Sequence, residues 1–376
     1  MKLVVFGLTI TSSWGNGHAT LWRGLCRALA RRGHDITFYE RDVPYYAAHR
    51  DLLALDGVDI VLYRDWHDVR HAAARAVADA DVAMATSYCP DAIVATELIA
   101  DHAALSVFYD MDSPTTLDRL QRGEPVAYIG PDRLQHVDLV LSYAGGAALP
   151  AIQRTLGARR VAALYGSVDP SLHRPMPPEP QYAATLSYLG TYADDRQPAL
   201  DRLFIEPARV RPNERFVIGG AQYPDTFPWT PNIFFVRHLP PASHPAFFCS
   251  SPLTLNITRR AFAEVGYCPS GRLFEAAACG VAVVSDSWDG LEKFFTPGEE
   301  ILVVRDTADA LAAIDRSRDE LARIGRAARE RTLAEHTAEH RAVELEGILE
   351  DVLQPERVRH SAFVATRGDH QRQLEA

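Results

Sequence analysis

Lysine is almost missing from this chain. Of 39 basic residues only Lys2 and Lys293 are lysine, a bias that reflects coding composition rather than chemistry. A surplus of positive charge is missing too. With 49 acidic residues the net charge is −10, which argues against a general nucleic-acid binder but not against a local basic pocket. Cysteine is scarce and odd in number. Cys26, Cys89, Cys249, Cys268 and Cys279 have no paired metal spacing, so buried free thiols in a reducing cytosol fit better than a disulfide framework. No apolar run is long enough for a bilayer, and the apolar start Met1–Gly7 turns polar by Thr11, too soon for a signal peptide. Short-period repeats and low-complexity blocks are also lacking. What remains is 376 residues with 47% hydrophobic content, enough for two domains with full cores.

The chain reads as alternating strands and helices. Strands are expected at 2–9, 34–41, 58–64, 81–87, 104–110, 138–143 and 160–165. Helices are expected at 19–32, 67–79, 90–103, 115–121, 131–136 and 146–156. The first unit is strand, loop Thr11–His18, helix with Leu21, Leu25 and Leu29 on one face, and strand: the opening of a doubly wound domain. The loop motif Gly15-Asn16-Gly17-His18 is weak. A dinucleotide site wants Gly-x-Gly-x-x-Gly, and position 20 is Thr; Glu40 nonetheless stands where a ribose-binding acid would, which keeps a nicotinamide-dependent reading open. Strand 104–110 ends in Tyr109-Asp110-Met111-Asp112-Ser113-Pro114. Two acids at the carboxyl end of a parallel strand sit at the ligand edge of a sheet. They suit a substrate contact or base, a metal pair, or the cap of a Pro-opened helix.

Pro175-Met176-Pro177-Pro178-Glu179-Pro180 is a stiff crossover. The expected organisation is therefore an N-terminal Rossmann-like domain at 1–172 and a linker at 173–183. A C-terminal Rossmann-like domain follows at 184–332, then a helix at 333–352 that crosses back, and a polar tail at 353–376. In the second half, strands are expected at 184–189, 216–219 and 233–236, a helix at 195–207, and helical structure over 307–351.

The most informative stretch is 269–293. Pro269-Ser270-Gly271 opens an Ala-rich helix, Gly280 ends it, and Val281 to Val284 form a buried strand with Ser285-Asp286 at its carboxyl end. The free amides of residues 270–273 suit a phosphate. Arg272 adds a planar fork, and Glu275, one turn in, suits two neighbouring sugar hydroxyls.

Ser-Gly-Arg-Leu-Phe-Glu-Ala-Ala-Ala-Cys-Gly-Val-Ala-Val-Val-Ser-Asp resembles the donor-site signature of group 1 glycosyltransferases, and in particular the CgeB-like (spore maturation protein) glycosyltransferases. Gly166-Ser167-Val168-Asp169-Pro170 resembles the hinge of the same group, and Pro297–Val304 is a further match. The resemblance implies an α/β fold of two Rossmann-like doubly wound domains facing across a cleft (GT-B). The implied activity is sugar transfer from a nucleotide-diphosphate sugar to an unidentified acceptor, with no cofactor, no metal, no nucleic-acid partner and a cytoplasmic location. It implies that Glu275 binds the donor ribose and that the loop at His238-Leu239 reads the nucleobase. Gly190, Tyr192, Asn256, Arg259, Ser270, Gly271 and Arg272 complete the donor side. The glutamate that many retaining members carry eight positions before this one is Tyr267 here.

Transfer needs the leaving diphosphate stabilised, the acceptor deprotonated and water excluded. The base must come from the facing domain, where His18, Asp110 and Asp112 are the candidates. His18 has a suitable ordinary pKa, or it points to solvent. Arg259 neutralises diphosphate or is a solvated helix residue. His238 is a ligand contact or a structural hydrogen-bonder. Inversion and retention both stay open, as do an epimerase that uses the same donor site and a non-catalytic binding protein of the same fold.

Overall fold

The computed structural model describes residues 1–353; the tail expected at 353–376 lies outside them, save residue 353. The first sheet contains β1 (Lys2–Gly7), β2 (Asp35–Arg41), β3 (Val58–Tyr63), β4 (Val82–Thr86), β5 (Ser106–Asp110), β6 (Leu139–Ser142) and β7 (Val161–Ala163). The second contains β8 (Leu186–Leu189), β9 (Phe216–Gly220), β10 (Ile233–Arg237), β11 (Leu253–Asn256), β12 (Ala282–Ser285) and β13 (Leu302–Val303). Their orders are β3-β2-β1-β4-β5-β6-β7 and β10-β9-β8-β11-β12-β13, and every pairing within the two sheets is parallel. Each is therefore doubly wound, with its strand order reversing at β1/β4 and at β8/β11. Ligands bind at such reversals, outside the carboxyl ends of the strands.

Burial on both faces explains the apolar strands. Leu3 to Phe6 and Val82 to Ala85 are all buried in the first core. In the second sheet successive residues feed two separate cores, Phe216 and Ile218 on one face and Val217 on the other, as the period of two requires. Helix Gly271–Ala278 ends as expected at Gly280, whose φ of +77° is the left-handed conformation past a helix end.

Four local expectations are corrected. Residues 131–136 form turns, not a helix: Arg133 takes a φ of +55°, and the Leu134 amide is drawn to the Leu156 carbonyl at 3.0 Å. The helical run after β8 is not uniform. It contains a π segment, Asp201–Ile205, directly before Pro207, whose ring and missing N–H disturb the preceding turn. Helical structure over 307–351 is present as helices Thr307–Ile314 and Arg318–Glu335 and a third over 338–353, so the returning helix expected at 333–352 begins at 338, after a break at 336–337. The face of helix His18–Arg31 that is buried is Trp22, Leu25, Cys26 and Leu29, with Leu21 only half-buried.

The helix over 338–353 places Ala338, Ala342, Leu345, Leu349 and Val352 in the first core, a 4-3-4-3 spacing that makes one helical face. The outgoing and returning chain touch: the Val168 amide donates to His336 O at 3.1 Å, and the Ala338 amide to Val168 O at 2.8 Å. The proline-rich crossover lies on the second domain, where the Glu179 amide donates to Ser250 Oγ at 2.8 Å.

Candidate active site

The two strand-order reversals face each other across a cleft of about 640 Å³, within the range of small-molecule sites. On the first-domain side the loop after β1 is fastened from below. Glu40 is fully buried and accepts from the Ile10 and Thr11 amides at 2.7 and 2.9 Å, and from the Thr9 and Thr11 hydroxyls at 2.9 and 2.6 Å. Both carboxylate oxygens are engaged within the loop, so Glu40 is a latch and not a ribose ligand; the nicotinamide reading loses its acid. Asp51 holds Ser13 and Arg23 in the same way. Gly15 has φ +66°, Asn16 Oδ1 accepts from the Ala19 amide at 3.1 Å, and Gly17 precedes His18 at the start of the helix.

His18 faces Tyr88, with ring centroids 5.7 Å apart, and its Nδ1 is buried without a partner. Burial lowers its pKa against the pull of the Asp112 carboxylate, so the ring is neutral at pH 7 and able to accept a proton. Asp112 lines the cleft and takes a short hydrogen bond from the Tyr88 hydroxyl. It occupies the N-cap position of helix Ser113–Gln121, but its side chain makes no cap bond, which removes that alternative. Asp110 is different. It is fully buried, does not line the cleft, and accepts from the Asp112 amide at 3.0 Å. Its other oxygen has no partner, and burial pushes its pKa up to about 7, against the bond it accepts from the Asp112 amide. Asp110 therefore stands behind Asp112 rather than beside it, and a metal pair formed by the two is not what the geometry offers.

On the second-domain side, Ser270, Gly271 and Arg272 present the start of helix Gly271–Ala278 to the cleft, with no side chain capping it. Arg272 is pinned beneath by Asn256, whose Oδ1 accepts from Nη1 at 3.0 Å, and by the Tyr188 ring at 5.2 Å. Asn256 is itself fully buried and bonded to Ser285 Oγ at 3.0 Å, so it positions Arg272 and does not reach the cleft. A Cβ on Gly190 would lie 2.8 Å from Arg272 Nη2 and 2.9 Å from Tyr188 Oη; glycine there makes room for the guanidinium. Glu275 lies between two imidazoles, with Oε1 3.9 Å from His173 Nε2 and Oε2 3.5 Å from His244 Nδ1. Burial would raise its pKa, but His173, His244 and Arg272 together hold it down at about 2.

Arg259 pairs with Asp195 at 3.3 Å at the cleft rim. Tyr192 and Leu239 also line the cleft. His238 serves as a bridge: with φ +48° it sets its ring 3.9 Å from that of Trp14, which in turn stacks on His49 at 3.8 Å. Of the catalytic, glycine-loop and donor-side candidates named in the sequence, the structure gathers all but Asp110 and Asn256 around one cavity; Glu40, Tyr267, Ser285 and Asp286 do not line it. It adds Tyr88, Tyr143, Arg196, Thr258 and His244 to the lining, and His173 behind it. Tyr88 and Thr258 follow β4 and β11, and were findable as further strand ends at the ligand edge. His173 and His244 carry no local signal, because only the fold brings them to Glu275.

The architecture recurs in solved structures. Sucrose-phosphate synthase from Thermosynechococcus elongatus superposes with a TM-score of 0.66 at 13% identity, covering 94% of this chain and 100% of that one. Anabaena HepE in complex with UDP-glucose gives 0.67 at 12% identity, covering 93% and 100%. An alpha-glucosyltransferase in complex with UDP-glucose and DNA containing an abasic site gives 0.65 at 12%, covering 93% and 99%. No curated protein matches the chain significantly by sequence. Residues 196–347, most of the second domain and part of the returning helix, match a family described as glycosyl transferase-like. The fold is thus the GT-B fold of glycosyltransferases, and the class it defines with that domain is an enzyme, a glycosyltransferase. Among the described residues no helix is long and apolar enough to cross a membrane.

Proposed function

We propose that the protein is a CgeB-like glycosyltransferase that transfers a sugar from a nucleotide diphosphate sugar, with a UDP-sugar as the first donor to test. The observation that carries this is the juxtaposition of an uncapped helix start, a half-buried arginine and an ionised glutamate on one wall with a neutral histidine on the other. UDP-glucose in the HepE and alpha-glucosyltransferase complexes supports the choice of base.

The first-turn amides and Arg272 take the diphosphate. A helix N-terminus carries about half a positive charge, and donors fixed before the reaction stabilise the charge that develops on the leaving group. Arg272 supplies a permanent cation where other sugar transferases use a metal, so the reaction needs none. Glu275 accepts from the ribose hydroxyls. Across the cleft His18 takes the acceptor's proton, with the Asp112 carboxylate nearby to favour the imidazolium that forms. Closure of the two domains keeps water from competing as acceptor. The five cysteines are free, which suits a cytoplasmic enzyme.

A thermal-shift screen with UDP, GDP, dTDP and ADP, with and without magnesium, tests the donor wall, since a ligand that binds only the folded state raises Tm. Stabilisation by one nucleotide at equal strength without magnesium is expected; no response to any of them sinks the donor site. For the facing wall, His18→Ala should lower kcat far more than it changes donor affinity. If it alters only donor affinity, His18 is a donor contact and the base lies elsewhere.

A further inference from the structure

The pair of imidazoles around Glu275 asks for more than a ribose. His244 Nε2 lies 3.2 Å from Leu239 O. A carbonyl only accepts, so Nε2 carries a hydrogen, and Nδ1 is the nitrogen turned to the Glu275 carboxylate 3.5 Å away. Either a proton or a metal cation between that nitrogen and the carboxylate satisfies both. His173 is 1% exposed, neither of its ring nitrogens has a hydrogen-bond partner, and Nε2 points at the other carboxylate oxygen from 3.9 Å. The three ligand atoms lie within 4.8 Å of one another.

We propose that His173 Nε2, His244 Nδ1 and Glu275 form a binding site for a divalent transition metal of the zinc class, and that the occupied site excludes the donor nucleotide. Two imidazoles and one carboxylate are ligands zinc favours, and harder cations such as magnesium prefer all-oxygen sites. Zinc bonds of about 2.0–2.2 Å in a tetrahedron set ligand atoms a little over 3 Å apart, so the two measured separations close with small side-chain adjustments. The ligands are held by three separate elements. His173 is anchored through its amide to Asp169 O at 2.9 Å, His244 opens helix His244–Cys249, and Glu275 sits inside helix Gly271–Ala278. The Leu239 carbonyl fixes the His244 tautomer, the outer-shell role that metal-binding histidines require. His244 and Glu275 line the cleft whereas His173 stands behind them, so the fourth coordination position opens into the cleft and the ion enters from there.

The second half rests on Glu275 as the ribose ligand. A carboxylate bound to a metal has lost the lone pairs that would accept from sugar hydroxyls. The metal is therefore an antagonist of the donor, and the transfer reaction itself stays metal-free.

The test uses the full chain without an affinity tag, stripped with a chelator. Zinc is titrated calorimetrically and cobalt(II) is followed by its visible absorption, which reports a low-coordinate site. One equivalent is expected, weakened at least about tenfold in His173→Asn and in His244→Asn, since loss of even an outer-shell partner costs that much. Circular dichroism verifies that each variant is folded. At a zinc concentration that fills the wild-type site but not the weakened one, the apparent Kd of UDP should rise more in the wild type than in His173→Asn; chelation of zinc by the diphosphate raises both equally, so the difference reports the site. No stoichiometric zinc in the wild type, or equal affinity in both variants, overturns the metal site. Zinc that binds without affecting UDP overturns the exclusion. UDP that fails to bind the metal-free protein overturns the donor assignment and leaves the metal site standing.

Discussion

Glu275 and Asp110 are both carboxylates at the ligand edge of a sheet, and their surroundings drive them in opposite directions. Glu275 has two imidazoles and a guanidinium close by and stays ionised down to about pH 2. Loss of its charge-assisted bonds to ribose in Glu275→Ala should weaken UDP binding by about 1–3 kcal/mol, read by calorimetry on metal-free protein; an unchanged Kd in a folded variant removes the ribose assignment. Asp110 has no counter-charge in contact, and burial raises it from 3.8 to about 7. The native state then holds a proton that the unfolded chain has released, so this residue makes stability fall as pH rises from about 4 to about 7 and has no further effect above that. The shift of about three pH units sets an upper bound of roughly 4 kcal/mol. Asp110→Asn, an uncharged stand-in for the protonated acid, should remove that part of the slope. Urea midpoints of both proteins at pH 4.5 and 7.5 test this, and parallel behaviour would mean that Asp110 is ionised in the native state.

At the scale of elements, the loop after β8 and the start of helix Gly271–Ala278 work as one unit because Gly190 lets Arg272 lie against Tyr188. In Gly190→Ala the new methyl meets Nη2 at 2.8 Å and the Tyr188 hydroxyl at 2.9 Å. The guanidinium must swing away from Asn256, and donor affinity should fall about tenfold, one charge-assisted bond's worth, with little change in Tm; a drop in Tm without loss of affinity would show that the strain is absorbed elsewhere. The elements themselves were largely legible. The central strands β1, β4, β5 and β6 announce themselves as apolar runs because both faces are buried, and Gly280 announces a helix end because its φ is positive. The misses have physical causes. Residues 131–136 have helical composition, but a neighbouring carbonyl captures the Leu134 amide. β13 has two residues and is too short for any period to show. The latch on Glu40 and the cluster of His173, His244 and Glu275 depend on contacts between segments 29 to 102 residues apart, which no local pattern encodes.

For the whole molecule, the central fact is that the chain leaves the first domain and returns to it at the same place. Val168 is joined by backbone hydrogen bonds to His336 and Ala338. Arg341, 7% exposed, ties them by donating from Nε to Gly166 O at 3.2 Å, and its Nη2 lies 3.1 Å from His336 Nδ1. Two adjacent crossings offer a single axis about which the donor wall and the wall that carries His18 could turn. The nucleotide is assigned wholly to the second domain and the base wholly to the first. Arg341→Ala leaves both walls intact but leaves the Gly166 carbonyl without this donor, at a stability cost of about 1–3 kcal/mol. It should therefore lower kcat, which needs both walls in register, while the Kd for UDP stays within about twofold. Turnover measured beside UDP calorimetry separates the possibilities: if Kd rises in step with the loss of kcat, the nucleotide is gripped by both domains and the hinge sets donor affinity instead of alignment.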